Sequence, residues 1–499
     1  MSEVTRLIHD RARRQGAEIA YRIGADGRAL TWMAVAEHAD RLDALAAERR
    51  LPARTRIGLV VDDPLAFTAT YLGTLAAGLT AVPIDPRLTA AELAATAARL
   101  RVDVLVSDTP DRPVETGAEL WDAEKPSLVR PAARGPRPGG TVAMRPAVLL
   151  TSSGTTGTPK GIGLTDWQLL DAARRVARHH RFGPGERGYN PLPLFHVNAQ
   201  VMGLLATLVS GASLVLERRF DPDAYWERVA RWRPTWLNAV PAVLAALLAR
   251  PAPAAGVVAG IRFARSASAP LPVATLRDFA AHTGVRVLET YGMTEAAGQI
   301  TANPLDPDRR KPGSVGLPVG VGLAVLGPDG RPAGPGEQGM VALRGRQVAA
   351  HYLVLDANGA ETRRPARTAD GWLLTGDLGT RDADGFVYLD GRADDVINRG
   401  GEKIFPQEIE DVLLMHPAVR SAAVVGAPHE RLGQVPVAFV TAIAPEGTLV
   451  NELHAFCERL LARHKRPAVI EIVASLPTGP TGKVLRRRLR AALPAGGPR

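Results

Sequence analysis

With one cysteine in 499 residues, Cys457, the chain can form no internal disulfide, so packing alone must hold the fold together. That thiol sits in the helical pattern LHAFCERLLARH, which points to a packed side chain rather than a reactive one. Long apolar runs are missing too: no stretch reaches the roughly eighteen uninterrupted residues of a membrane span. The N-terminal segment MSEVTRLIHDRARRQG is charged where a secretory leader needs an apolar core, so the expected location is the cytoplasm. Aromatic residues make up only 5%, and this scarcity decides how the net charge of +10 is read. The excess is arginine scattered through Ala/Arg/Pro/Gly-rich sequence without aromatic interleaving, which argues against nucleic acid as a partner. The densest basic cluster, Lys483 to Arg490, reads as a solvated helix face beside an anionic substrate.

What is present is enough apolar residue, 46%, to bury large cores in more than one domain. Apolar runs at Ile57–Val61, Ala81–Ile84 and Val102–Val106 alternate with helical stretches at Pro64–Ala77 and Ala90–Leu100, the rhythm of βα units. Between about 311 and 390, short strand-like pieces separated by PG, DG and GP turns predict a small β subdomain. Beyond Asp394, strands at Val419–Val425, Val435–Ala442 and Val469–Val473 and a helix near Val450–His464 predict a separate small α+β domain. The expected class is α/β: a large N-terminal domain, 1–393, and a C-terminal domain, 394–499.

The densest chemistry lies in TSSGTTGTPKGIG, Thr151 to Gly163. Gly154 and Gly157 let the backbone turn its N–H groups inward, Thr151, Ser152, Ser153, Thr155 and Thr156 offer hydroxyls, and Lys160 supplies a point charge. The apolar run Ala147–Leu150 reads as a strand feeding this loop, and Thr165-Asp166-Trp167-Gln168 reads as a capping box opening a helix. Such a loop suits phosphate. It is not a Walker loop, because Pro159 precedes the lysine and Gly161 follows it.

The loop resembles the phosphate-binding signature of the adenylate-forming superfamily, which includes acyl-CoA synthetases, peptide-synthetase adenylation domains and firefly luciferase. YGMTE at Tyr291–Glu295, LLTGDLG at Leu373–Gly379, GRADDVINRGGEKIFPQEIE at Gly391–Glu410 and LPTGPTGKVLRRRLR at Leu476–Arg490 are similar to further family motifs in the same order. The resemblance implies activation of a carboxylic acid by ATP as an acyl-adenylate, release of pyrophosphate, and transfer to coenzyme A. Cations and oriented donors are needed where negative charge gathers around the α-phosphorus. By the resemblance, Thr294 contacts the phosphates and Glu295 helps bind Mg²⁺, while Tyr291 and Gly292 on one side and Ser268, Ala269 and Pro270 on the other enclose adenine. Asp377 accepts from the ribose hydroxyls, Arg392 reaches the ribose or phosphate, and Lys483 bridges the attacking carboxylate and α-phosphate. Asp394 is the hinge about which the mobile small domain rotates, and Gly400 and Gly401 border the channel for the thiol arm.

The acyl pocket is assigned to His196, Asn198, Arg265, Ser266 and Gln299, whose mixed polarity predicts a short or polar acid rather than a long fatty acid. The segments RSASAPLP and ETYGMTEAAGQITANPLDPDRRKPGSVG resemble oxalate–CoA ligases and their bacterial relatives. Asn198 stands where those ligases commonly show a second histidine, and Asp166 where a histidine often follows the phosphate loop. An acceptor other than CoA (a carrier-protein thiol, an amine, or diazotase-like activation of nitrite) and a non-catalytic nucleotide-binding homologue are the alternatives. The expected assembly is a monomer or homodimer.

Overall fold

The computed structural model describes residues 1–109, 116–132, 146–152, 160–355, 361–443, 447–479 and 483–493, apart from the side chain of Ser152. Three sheets organise them, of thirteen, nine and five strands. In the largest, the strands Arg187–Asn190, Ser213–Leu216, Trp236–Ala239, Phe263–Ser266 and Val287–Met293 run parallel. They are buried on both faces, as parallel strands flanked by helices must be. Ligands of such sheets gather at the carboxyl ends of the strands, and Asn190, Asn238, Arg265 and Ser266 stand at those ends.

The second sheet centres on Arg56–Val60, with Thr80–Pro83 and Val104–Ser107 parallel to it. Val148–Ser152 lies beside Thr80–Pro83, and Lys160–Leu164 returns antiparallel, so Ser152 faces Lys160 across the ladder. The capping box forms: Thr165 and Gln168 satisfy each other's backbone N–H groups at the start of Asp166–His180. Asp166 itself pairs with Arg54, which accounts for a carboxylate at that position.

The stretch from 311 to 390 divides between two sheets rather than closing on itself. Strands Ser314–Pro318, Gly322–Leu326, Gly339–Arg344, Leu373–Arg381 and Val387–Arg392 extend the large sheet, whereas the hairpin His351–Leu355 and Glu361–Pro365 pairs with Lys160–Leu164. Tight turns make antiparallel hairpins, and a hairpin with an open edge before it extends that edge.

The small sheet contains the long hairpin Val419–His429 and Gly433–Ala442, with Val469–Ile472 parallel to the second strand. It has its own core, including Ile397, Ile409, Leu413, Val424, Leu453 and Cys457. Cys457 is fully buried, and burial pushes its thiol up to about 11, so it stays protonated. The main core packs Tyr21, Trp32, Trp121 and Trp236 with at most 1% exposure, each burial favouring the fold by roughly 2 kcal/mol before ordering costs. Among the described residues no helix is long and apolar enough to cross a membrane.

Candidate active site

The end expected to take the nucleotide is built around one carboxylate. Asp377 lies in the strand Leu373–Arg381, directly opposite Arg392 on Val387–Arg392. The Tyr291 hydroxyl donates to its Oδ2 at 2.5 Å, and Arg392 Nη1 donates to its Oδ1 at 3.2 Å and to the Thr375 carbonyl at 2.8 Å. Burial, and then Asp377, hold the Tyr291 phenol far above its ordinary value, so it remains a donor. Gly292 follows in a place that admits no side chain: a Cβ would meet the Gly298 carbonyl oxygen at 2.2 Å.

Thr294 and Glu295 occupy a single 3₁₀ turn, Thr294–Ala296, at the end of Val287–Met293. Glu295 is nearly buried, and burial raises its carboxyl above the ordinary range. Tyr352 from the edge hairpin donates its hydroxyl to Glu295 Oε1 at 3.2 Å, while the Lys160 ammonium lies 5.0 Å from the Tyr352 ring centroid. Tyr352 carries no sequence signal: it reaches the site only because its strand pairs with Lys160–Leu164. Ser153, Gly154, Thr155, Thr156 and Gly157 lie outside the described residues.

From the C-terminal side comes Lys483. Desolvation, then Arg392, hold its ammonium below the ordinary value, with Arg486 adding and Asp377 and Asp395 opposing. Lys483 is exposed as a residue and lies within electrostatic reach of Arg392 and Asp377. The basic run after it is not uniformly solvated: Arg486 forks onto Glu410 at 2.6 and 2.8 Å, Arg490 pairs with Asp395 at 2.6 Å, and Leu489 is buried. The Arg490 pair ties the helix Arg486–Ala492 to the turn Ala393–Asp395, which contains Asp394, and the Arg486 fork ties it to the helix Pro406–Leu414.

The acyl end is a cavity of about 650 Å³ lined by His196, Asn198, Arg265, Ser268, Met293 and Thr294 among others. Asn198 opens a π-helical segment, Asn198–Leu205, a local widening frequent at functional sites. Its Oδ1 accepts from Arg265 Nη1 at 2.9 Å and its Nδ2 donates to Ser268 Oγ at 3.1 Å. Ser268 adopts φ 75°, a left-handed backbone that a serine occupies at a cost. Asn238, from the neighbouring strand, accepts from Arg265 Nη1 at 3.1 Å. Burial lowers the Arg265 guanidinium to about 9 and His196 to about 4, so the imidazole is neutral.

Ser266 and Gln299 are buried close behind the wall and do not line the cavity. Ala269 is half-buried and Pro270 exposed, following Ser268. Gly400 and Gly401 have φ of 59° and 95° and close the hairpin between Ile397–Arg399 and Glu402–Ile404. A two-residue turn of that hand demands two such positions, and the hairpin supplies them with both glycines.

Residues 8–353 match the AMP-binding enzyme family and residues 408–483 the AMP-binding enzyme C-terminal domain. The chain belongs to that family. It is 41% identical to sulfoacetate–CoA ligase of Cupriavidus necator, over 93% of this chain and 92% of that one. It is 36% identical to oxalate–CoA ligase of Saccharomyces cerevisiae, over 68% of this chain and 62% of that one. The solved structure of ATP-bound MatB from Rhodopseudomonas palustris superposes with a TM-score of 0.86 at 28% identity, covering 98% of each chain. The class so defined is an AMP-forming acid–CoA ligase, which uses ATP to make acyl-CoA.

Proposed function

We propose that residues 1–393 hold ATP and a short or polar carboxylic acid, and that residues 394–499 turn about Asp394 to serve two half-reactions in succession. In the first, a carboxylate oxygen attacks the α-phosphorus of ATP, and the bond to the bridging oxygen breaks with its electron pair leaving on pyrophosphate. Asp377 accepts from the ribose hydroxyls, because its two oxygens keep lone pairs beyond those used by Tyr291 and Arg392. Lys160 and the hydroxyl-rich loop before it take the outer phosphates. Lys483 neutralises charge shared by the attacking carboxylate and the α-phosphate.

Magnesium fits the same end. Glu295 is a buried carboxyl that accepts from the Tyr352 hydroxyl, and a nearby cation would offset the desolvation that raises it. With substrate phosphates and water, Glu295 would hold Mg²⁺, and one or two carboxylates suffice for that ion. When bound, the ion neutralises phosphate charge.

In the second half-reaction the CoA sulfur attacks the acyl carbon, AMP leaves, and the thiol proton passes to solvent. Lys483 has no part in that step and moves away with the small domain. What supports this reading is that Lys483, from beyond the 393–395 turn, lies within electrostatic reach of Asp377 and Arg392, which precede it. Lys483→Ala should slow adenylate formation roughly a hundredfold, since a transition-state contact of this kind is worth about 3 kcal/mol. Thioester formation from supplied acyl-adenylate should change little. Equal loss in both steps would assign the lysine a structural role instead.

A further inference from the structure

Two arginines lie deep in the large body, and they differ in what neutralises them. Arg175, 5% exposed at its side chain, has its Nε on Asp171 at 2.9 Å. Arg265, 2% exposed, has only the amide oxygens of Asn198 and Asn238, both on Nη1, and its Nε has no acceptor. No carboxylate among the described residues forms an ion pair with it. A buried guanidinium surrounded by neutral groups is costly, and a site that keeps one is complementary to an anion supplied from outside.

The cavity it borders can supply that anion. Arg265 stands at the carboxyl end of Phe263–Ser266, where ligands of a parallel sheet lie. The reacting carboxylate is committed elsewhere, to the α-phosphate and Lys483 at the nucleotide end. Asn198 joins Arg265 to Ser268, one side of its amide on each, and Thr294 lines the same cavity, so an acid held by Arg265 shares one space with the proposed nucleotide end. The rim arginines are less suited: Arg87 is paired with Asp85 and Arg218 with Asp63, and Arg219 is exposed, so water already solvates its charge. His196 is a neutral neighbour that can add a hydrogen bond through an Nε2 left without a partner.

We propose that the acid activated here is a short organic dianion, carrying a second carboxylate or a sulfonate beside the reacting carboxylate, and that Arg265 selects it. The proposal rests on the adenylating reading above. It makes Arg265 a specificity-determining residue that grips the part of the acid that does not react, and the asparagines its neutral holders.

The test is acid-dependent pyrophosphate release with matched pairs: malonate against malonamate, and sulfoacetate against methylsulfonylacetate. In each pair the second charge is removed at nearly constant size. Wild type should favour a doubly charged member by about a hundredfold or more in kcat/KM, as a site built around one polar group does. The better of malonate and sulfoacetate tells carboxylate from sulfonate.

Arg265→Gln removes the cation, and Asn238→Asp gives it an internal counter-charge at almost unchanged volume. Each should cut the preference by about tenfold or more, acting on the KM of the acid and leaving the KM of ATP in place. Thermal melting identifies folded variants, and the wild-type preference stands as a test should either variant not fold. Wild-type preference for the monoanions, or full preference kept in both folded variants, overturns the assignment while leaving adenylation intact. Absence of pyrophosphate release with every acid overturns the adenylating reading and this proposal together.

Discussion

At the proposed nucleotide end both carboxylates already have partners: Asp377 holds Tyr291 and Arg392, and Glu295 holds Tyr352. At the proposed acyl end the buried cation, Arg265, forms no ion pair with a described carboxylate, and neighbouring polar atoms on His196, Ser266 and Gln299 have no hydrogen-bond partner. The first arrangement is organised before ligand arrives. The second is completed by the ligand, as expected of the part that sets specificity. A further difference is parentage: Lys483 comes to the nucleotide end from beyond the 393–395 turn, whereas His196, Asn198, Asn238 and Arg265 all belong to the large body.

That contrast can be broken at the turn. Asp394→Pro fixes one backbone angle in the Ala393–Asp395 turn, and a proline in a conformation it cannot adopt costs about 3 kcal/mol, or roughly a hundredfold. Thioester formation should fall by that order while adenylation and the ranking of acids persist. Unchanged thioester formation on the folded variant would remove Asp394 from the hinge.

A smaller effect is expected at Tyr352. Tyr352→Phe deletes the hydroxyl on Glu295 and should weaken Mg²⁺-dependent adenylation about tenfold, the scale of one hydrogen bond to a charged group. The acid preference should not move. A shifted preference would mean that the two ends are coupled through Thr294–Ala296.

The smallest effect separates stability from chemistry. Glu289, under the nucleotide end, is pushed up to about 8 by burial and then by Asp411 from the small domain, itself raised to about 7 by burial. A carboxyl raised in the folded state stays protonated while its unfolded counterpart ionises. Its cost to stability therefore grows as pH rises from the ordinary carboxylate range, near 4.5, to about 8, and is constant above. Glu289→Gln should match wild type in melting temperature at the low end and exceed it by about 2 °C at the high end. A constant difference across that range would contradict the assignment.

Much of the nucleotide end was legible because its determinants are local. The Thr165 and Gln168 capping box and the turn carrying Thr294 and Glu295 are short-range features, and the motifs occur in family order. The strands and helices flagged by hydrophobic period appear within a few residues of their expected bounds: the run Ile57–Val61 is the strand Arg56–Val60, and the helix near Val450–His464 is Leu449–Leu460. Tyr352 was invisible because strand pairing, not spacing, delivers it. The acyl end draws on three elements, so Arg265, Asn198 and Asn238 could be named as polar residues but not as one cluster. The LRRRLR run reads as solvated charge until Asp395 and Glu410 are placed beside it.

The central claim is that acid and ATP react in this site before CoA is needed. Exchange of labelled pyrophosphate into ATP, measured without CoA and with each acid in turn, tests it most directly. Acid-dependent and Mg²⁺-dependent exchange, with AMP and acyl-CoA appearing once CoA is added, is the predicted result. Release of ADP and inorganic phosphate, with no exchange for any acid, would contradict it.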